Sequence, residues 1–140
     1  FGIKADIWSC PSFTELARDG VDAERWNRFH PEAKAPRKAW VTQQLEGRAG
    51  PAIAATDYVR GFADQIRAFV PMTYTVLGTD GFGRSDTRAN LRRFFEVDRY
   101  YIAHAAIAAL AKDGKMTGKD VARATKQYKI DPEKANPVGV

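Results

Sequence analysis

Gly78 to Asp98 reads GTDGFGRSDTRANLRRFFEVD, and the order of residue types in it predicts the local fold. Thr75, Val76 and Leu77, immediately before it, are strand formers, whereas Gly78, Gly81 and Gly83 suit the positive φ values of a tight reversal. Ser85 and Asp86 are placed to accept hydrogen bonds from the first free amides of a helix on which Leu91, Phe94 and Phe95 share one face. Strand, glycine turn and capped helix make one α/β unit.

A glycine turn that delivers a helix N-terminus after a strand is a common anion cradle, so the spacing has to be tested. A P-loop needs Gly-Lys-Ser/Thr after four intervening residues, and here Arg84-Ser85 follows Gly83 with no lysine. Gly78-x-x-Gly81-x-Gly83 does not match the dinucleotide spacing, although Asp98 stands near the distance of a ribose-binding acid. A structural turn at a contact between domains is the stronger reading, and a small-anion site over Gly81 to Ser85 is the alternative.

The same stretch, together with WSCPSFTELARDG (Trp8 to Gly20), Glu24-Arg25-Trp26-Asn27 and Ala55-Thr56-Asp57-Tyr58, resembles the C-terminal domain of the pyruvate-decarboxylating component of homodimeric bacterial pyruvate dehydrogenase complexes. The resemblance extends to Ile130-Asp131 and Asn136-Pro137. A looser form, Asp80-x-Phe82-Gly83-x-Ser85, is similar to the matching turn of transketolases. The resemblance implies a transketolase C-terminal-domain-like α/β fold, a mostly parallel sheet with helices on both faces. It also implies that the first strand and helix of that domain lie upstream of Phe1, where the chain starts without a methionine. A sheet lacking a central strand exposes apolar surface and unpaired backbone, so oligomerisation or pairing with another chain is expected.

In that family, thiamine diphosphate and Mg2+ sit between the N-terminal and middle domains of two subunits. The reaction decarboxylates pyruvate and transfers the acetyl group to lipoamide of the dihydrolipoyl acetyltransferase component. The resemblance therefore implies a structural, homodimer-forming part of a cytoplasmic oxidoreductase of pyruvate metabolism, inactive by itself. No catalytic, cofactor-binding or metal-binding residue is expected within residues 1–140. The alternative is a free-standing regulatory or binding module that uses the Gly81 to Ser85 turn for a small anion or nucleotide.

Composition fits one domain. At 140 residues and 44% hydrophobic content the chain is long enough to bury a core, with one domain expected over 1–140. No apolar run approaches the roughly 20 residues of a membrane span, and the first residues do not read as a signal peptide. The single cysteine, Cys10, has no internal disulfide partner and reads as a packing residue. His30 and His104 stand in unrelated contexts without carboxylate or thiol at ligand spacing, and each reads as a satisfied or surface histidine. Asp80, Ser85 and Asp86 make a triad only on paper, and helix capping accounts for them.

The 22 basic and 17 acidic residues give +5. The excess is concentrated between Lys112 and Lys134. There Thr117 and Asp120 open a helix with a capping box, placing Lys119, Arg123 and Lys126 on one face and Val121, Ala124 and Tyr128 on the other. That pattern belongs to a surface helix docked by its apolar side, with neither a nucleic-acid motif nor a membrane anchor beside it. Tyr100, Tyr101 and Phe82 are not interleaved with the basic stripe and are better explained by packing.

The remaining elements alternate. Gly2 to Trp8 is a candidate strand, Ser12 caps a short helix that stops at Gly20, and Asp22 starts a second carrying Trp26 and Phe29. Glu32 to Arg37 reads as a loop, and Trp40 to Leu45 as a short helix. Ala52 to Thr56 reads as a buried parallel strand, and Asp57 as the cap of a helix from Tyr58 to Val70. Asp98 opens an alanine-rich helix from Arg99 to Lys112, closed by Gly114 and apolar nearly all round, as for a helix held between the sheet and a neighbouring domain or subunit.

Overall fold

The computed structural model describes all 140 residues. Six helices run α1 (Phe13–Phe29), α2 (Trp40–Leu45), α3 (Arg60–Asp64), α4 (Arg88–Phe94), α5 (Arg99–Lys112) and α6 (Gly118–Gln127). Two strands, β1 (Ala52–Ala55) and β2 (Tyr74–Leu77), pair in parallel with Ala52 opposite Tyr74 and Ala55 opposite Leu77. This is a small α/β domain, and its sheet has two strands.

Helices cover both faces of that sheet, and adjacent side chains of β2 show it. Thr73, just before β2, donates its hydroxyl to Asp113 at the end of α5 (2.8 Å), whereas the Tyr74 hydroxyl donates to the Ala63 carbonyl in α3 (2.8 Å). Successive residues of extended chain point to opposite faces, so α5 and α3 lie on opposite sides. The core on the α3 side gathers Ala17, Ala39, Val41, Ile66 and Val70, with Phe13, Leu16, Phe69 and Met72 packed against them. On the other side α6 covers α5, and Ala124 is completely buried there. The second neighbour of the alanine-rich helix is thus α6 of the same chain.

Three elements differ from the sequence reading, two because a distant partner overrides a local signal and one for want of a strand to pair with. Gly20 does not stop a helix, because α1 runs through it. Gly20 is buried there, and a Cβ on it would meet the Phe69 ring at 2.4 Å. The missing side chain makes room for a neighbour rather than a break. The helix expected over Tyr58 to Val70 shrinks to α3 and a 3-10 turn at Arg67–Phe69. Its start is drawn off by the glycine turn described below, and the Phe69 carbonyl near its end accepts the Thr42 hydroxyl (2.6 Å). Finally, Gly2 to Trp8 is irregular and exposed, with Ile7 at 96%. A strand exists only by pairing, and these residues reach no sheet edge; Asp6 and Trp8 are held instead by Arg48, through an ion pair of 2.7 Å and a ring contact of 4.7 Å.

Only 16 of 140 residues are buried, so most apolar side chains meet solvent on at least one side. The chain exposes 9691 Å2, where a folded monomer of 15.6 kDa exposes roughly 7,250 Å2. The surplus is about 2,400 Å2, and the irregular N-terminal residues contribute to it.

Candidate domain-contact site at the glycine turn

The turn after β2 is anchored at its base and bare at its tip. A Cβ on Gly78 would lie 2.6 Å from Arg60 Cγ and 2.9 Å from the Tyr58 carbonyl oxygen, so Gly78 is required by close approach rather than by φ. Gly81 has φ +98, and its Cβ would stand 2.6 Å from the Pro137 carbonyl oxygen, so both reasons apply there. Gly83 shows neither constraint. Of the three positive φ values expected from the sequence, one is present.

Side chains of the turn tie together the loops that follow the two strands. The Thr79 amide donates to the Tyr58 carbonyl (2.9 Å), and its hydroxyl donates to the Asp57 carbonyl (2.8 Å). Asp80 Oδ1 accepts the first amide of α3, that of Arg60, at 2.9 Å. Asp80 therefore caps a helix that begins 20 positions earlier. Asp57, the expected cap, holds Arg92 of α4 through two bonds of 2.6 and 3.2 Å, and the guanidinium lowers its carboxyl pKa. The cap of α4 also moves by one position: the Thr87 hydroxyl accepts from the Asn90 amide, and Asp86 supports it by accepting from the Thr87 amide and the Asn90 side chain. Ser85 makes no capping bond.

The rear of α4 is held by the C-terminal part of the chain. Arg93 donates to the Tyr128 and Lys129 carbonyls, which pins the left-handed Lys129 (φ 52) that ends α6. Lys134 reaches the Phe94 carbonyl and Glu96. Turn, α3, α4 and the last residues thus form one braced unit from which Phe82 projects at 77% exposure.

Chemically the unit is plain. The Arg84 guanidinium lies over the Phe94 ring at 4.1 Å, and the shallow hollow beside it also contains the Asp86 carboxylate. A cation occupied by a ring and an acid next to it make a poor anion seat, which disfavours the small-anion alternative. Asp80, Ser85 and Asp86 do not assemble, since Asp80 caps α3 while Asp86 serves α4. His30 stacks on Trp26 (4.2 Å between ring centroids) with Nδ1 on the Trp26 carbonyl. The Thr125 hydroxyl donates to the Val121 carbonyl, so its oxygen accepts His104 Nε2–H at 2.9 Å, and burial lowers the pKa of this imidazole. Cys10 is half-buried rather than core, and burial raises its thiol pKa. No group of three or more His, Cys, Asp or Glu side chains converges as a metal site, and no helix is long and apolar enough to cross a membrane.

The sequence reading missed the Asp57–Arg92 pair, the Asp80 cap and the Arg93 clamp. All three join residues at least 20 positions apart, and no local pattern marks such pairs.

Known proteins place these features in a family. The family model for the transketolase-like TK C-terminal domain matches residues 1–98. The chain is 57% identical over 140 residues to the pyruvate dehydrogenase E1 component of Cupriavidus necator, covering 100% of this chain and 16% of that protein. It is 58% identical over 139 residues to the same component of Pseudomonas aeruginosa (99% and 16%), and 51% identical over 138 residues to that of Escherichia coli K12 (98% and 15%). The chain thus spans about a sixth of the length of these curated relatives.

Proposed function

Because this chain belongs to the transketolase-like C-terminal domain family and matches the C-terminal portion of bacterial pyruvate dehydrogenase E1 components, we propose that it is the packing domain of such an enzyme. The single observation that carries the proposal is identity above 50% along nearly the whole chain. The longer protein would decarboxylate pyruvate with thiamine diphosphate and Mg2+ and pass the acetyl group to the acetyltransferase component, in the cytoplasm and as a homodimer.

The residues present do not fit the cofactor. They offer no converging metal ligands and no buried side-chain polar atom lacking a partner, and the hollow at Arg84 is shallow and shared with Asp86. No step is therefore routed through these residues, and the reading assigns them no catalytic, cofactor or metal role. Their work is mechanical: to bury the surplus surface against neighbouring domains, with the braced turn and Phe82 facing one of them. A turn anchored at its base places the Phe82 ring in solvent beside that anchor, where covering it would bury a large apolar side chain.

Thermal unfolding of Phe82→Ala in two contexts tests this. In the full-length enzyme the variant is expected to melt several degrees below wild type, while in the 140-residue chain, where the ring is already exposed, the midpoint should not move. Equal shifts in both contexts would refute the contact. Calorimetric titration of the 140-residue chain with thiamine diphosphate and Mg2+, and separately with nucleotides, is expected to give no binding heat; saturable nucleotide binding lost in Arg84→Ala would restore the anion-module reading.

A further inference from the structure

We propose that the exposed face of α6 and the aromatic rings beside its C-terminal end form a docking ridge for an extended, acidic segment of a partner protein. Lys119, Arg123 and Lys126 form a row along the exposed face of α6, and Lys129 continues it past the helix end. Against these four cations stands one carboxylate, Asp120, which is bonded to Thr117 and Arg123. Lys119, Lys126 and Lys129 have no carboxylate within ion-pair distance, although ten other cations of the chain do.

The row is also held rigidly. Ala124 is fully buried on the opposite face of α6, the capping box fixes its start, and Arg93 clamps the Tyr128 and Lys129 carbonyls at its end. Tyr128 and Tyr100 lie alongside, 5.6 Å between ring centroids. Successive cations of the helical row rise by about 4.5–6 Å, and carboxylates at alternate positions of an extended chain by about 6.6 Å, close enough for flexible lysine side chains to bridge.

One ring of the chain itself already rests on this surface. The irregular N-terminal segment brings Phe1 against Arg123 (4.6 Å) and toward Tyr128 (6.1 Å), while Phe1 stays 40% exposed. The ridge thus already accommodates one aromatic ring. A partner segment that adds carboxylates beside an aromatic residue would make the same ring contact and neutralise the lysines. An acidic protein segment is favoured over nucleic acid because Tyr100 packs on Tyr128, Arg93 and Arg99 instead of standing free to stack on bases.

The test uses a fluorescein-labelled peptide of about 12 residues, alternating Glu and Ala with one central Phe, and fluorescence anisotropy at about 0.1 M salt. Lys119→Glu/Lys126→Glu is expected to weaken binding about tenfold or more, and the charge-matched control Arg28→Glu/Lys34→Glu, on the exposed end of α1 and the loop after it, by less than about twofold. Unchanged thermal midpoints of both variants establish that they fold. Equal losses in the two variants, no binding by wild type, or tighter binding of a single-stranded oligonucleotide of the same charge would each overturn the proposal.

Discussion

Residues 98–130 and residues 1–11 are both rich in apolar side chains, and the structure treats them in opposite ways. The first stretch folds into α5 and α6, packs helix to helix and buries Ala124 completely. The second lies across the surface without regular structure, leaving Ile7 almost wholly exposed. The difference follows from where the backbone hydrogen bonds go. A helix satisfies its amides within itself and needs only a surface for one face, whereas a strand needs a neighbouring strand before any of its apolar side chains gain by burial. The first stretch carries its own partners, and the second has no strand beside it.

Four experiments would break or sharpen this contrast. Ala124→Asp should be the most damaging, because it leaves an uncompensated charge at a fully buried position; a loss of about 3–5 kcal/mol by urea denaturation is expected, and a loss below 1 would mean that α6 is not docked as described. Thr117→Ala removes half of the capping box and should cost about 1 kcal/mol in the same assay.

His104 gives a smaller, pH-dependent effect. Burial lowers its folded-state pKa below the ordinary 6.5, so between these two values the unfolded chain binds more protons. Its contribution is therefore complete above about pH 6.5 and declines as the pH falls toward the lowered folded value. His104→Gln should flatten the stability profile in that window. The lowered carboxyl pKa values of Asp57 and Asp120 give losses only at more acidic pH, which separates the two effects. The smallest expected change is in the other region: Ile7→Ser should alter the stability of the 140-residue chain by no more than about 0.5 kcal/mol, and a larger loss would show that the segment is paired after all.

The same contrast explains what could be read from the sequence. α2, β1, β2, α5 and α6 follow from local signals, including the Asp98 cap and the Thr117–Asp120 box, because those signals lie within a turn of the elements they govern. Gly20 misled because a glycine within a helix looks the same whether it ends the helix or makes room for a ring such as Phe69. The helix expected after Asp57 is shorter at both ends because its partners are distant in sequence: Asp80 from the next loop caps its start, and Thr42 holds the Phe69 carbonyl beyond its end. At the candidate site the motif located the turn and its family but not its anchors, since close approach at Gly78 and the Asp57–Arg92 pair are properties of the assembled fold.

The seat of Gly81 on Pro137 and Val138 also sets an order of events during synthesis. These residues are separated by roughly two fifths of the chain, so the contact closes a long loop. Helices α5 and α6 can form as they emerge from the ribosome, but the turn between β2 and α4 cannot reach its final packing until residue 138 has been made. The tip of the turn at Gly81 therefore settles only once residues 137–138 are available to pack against it.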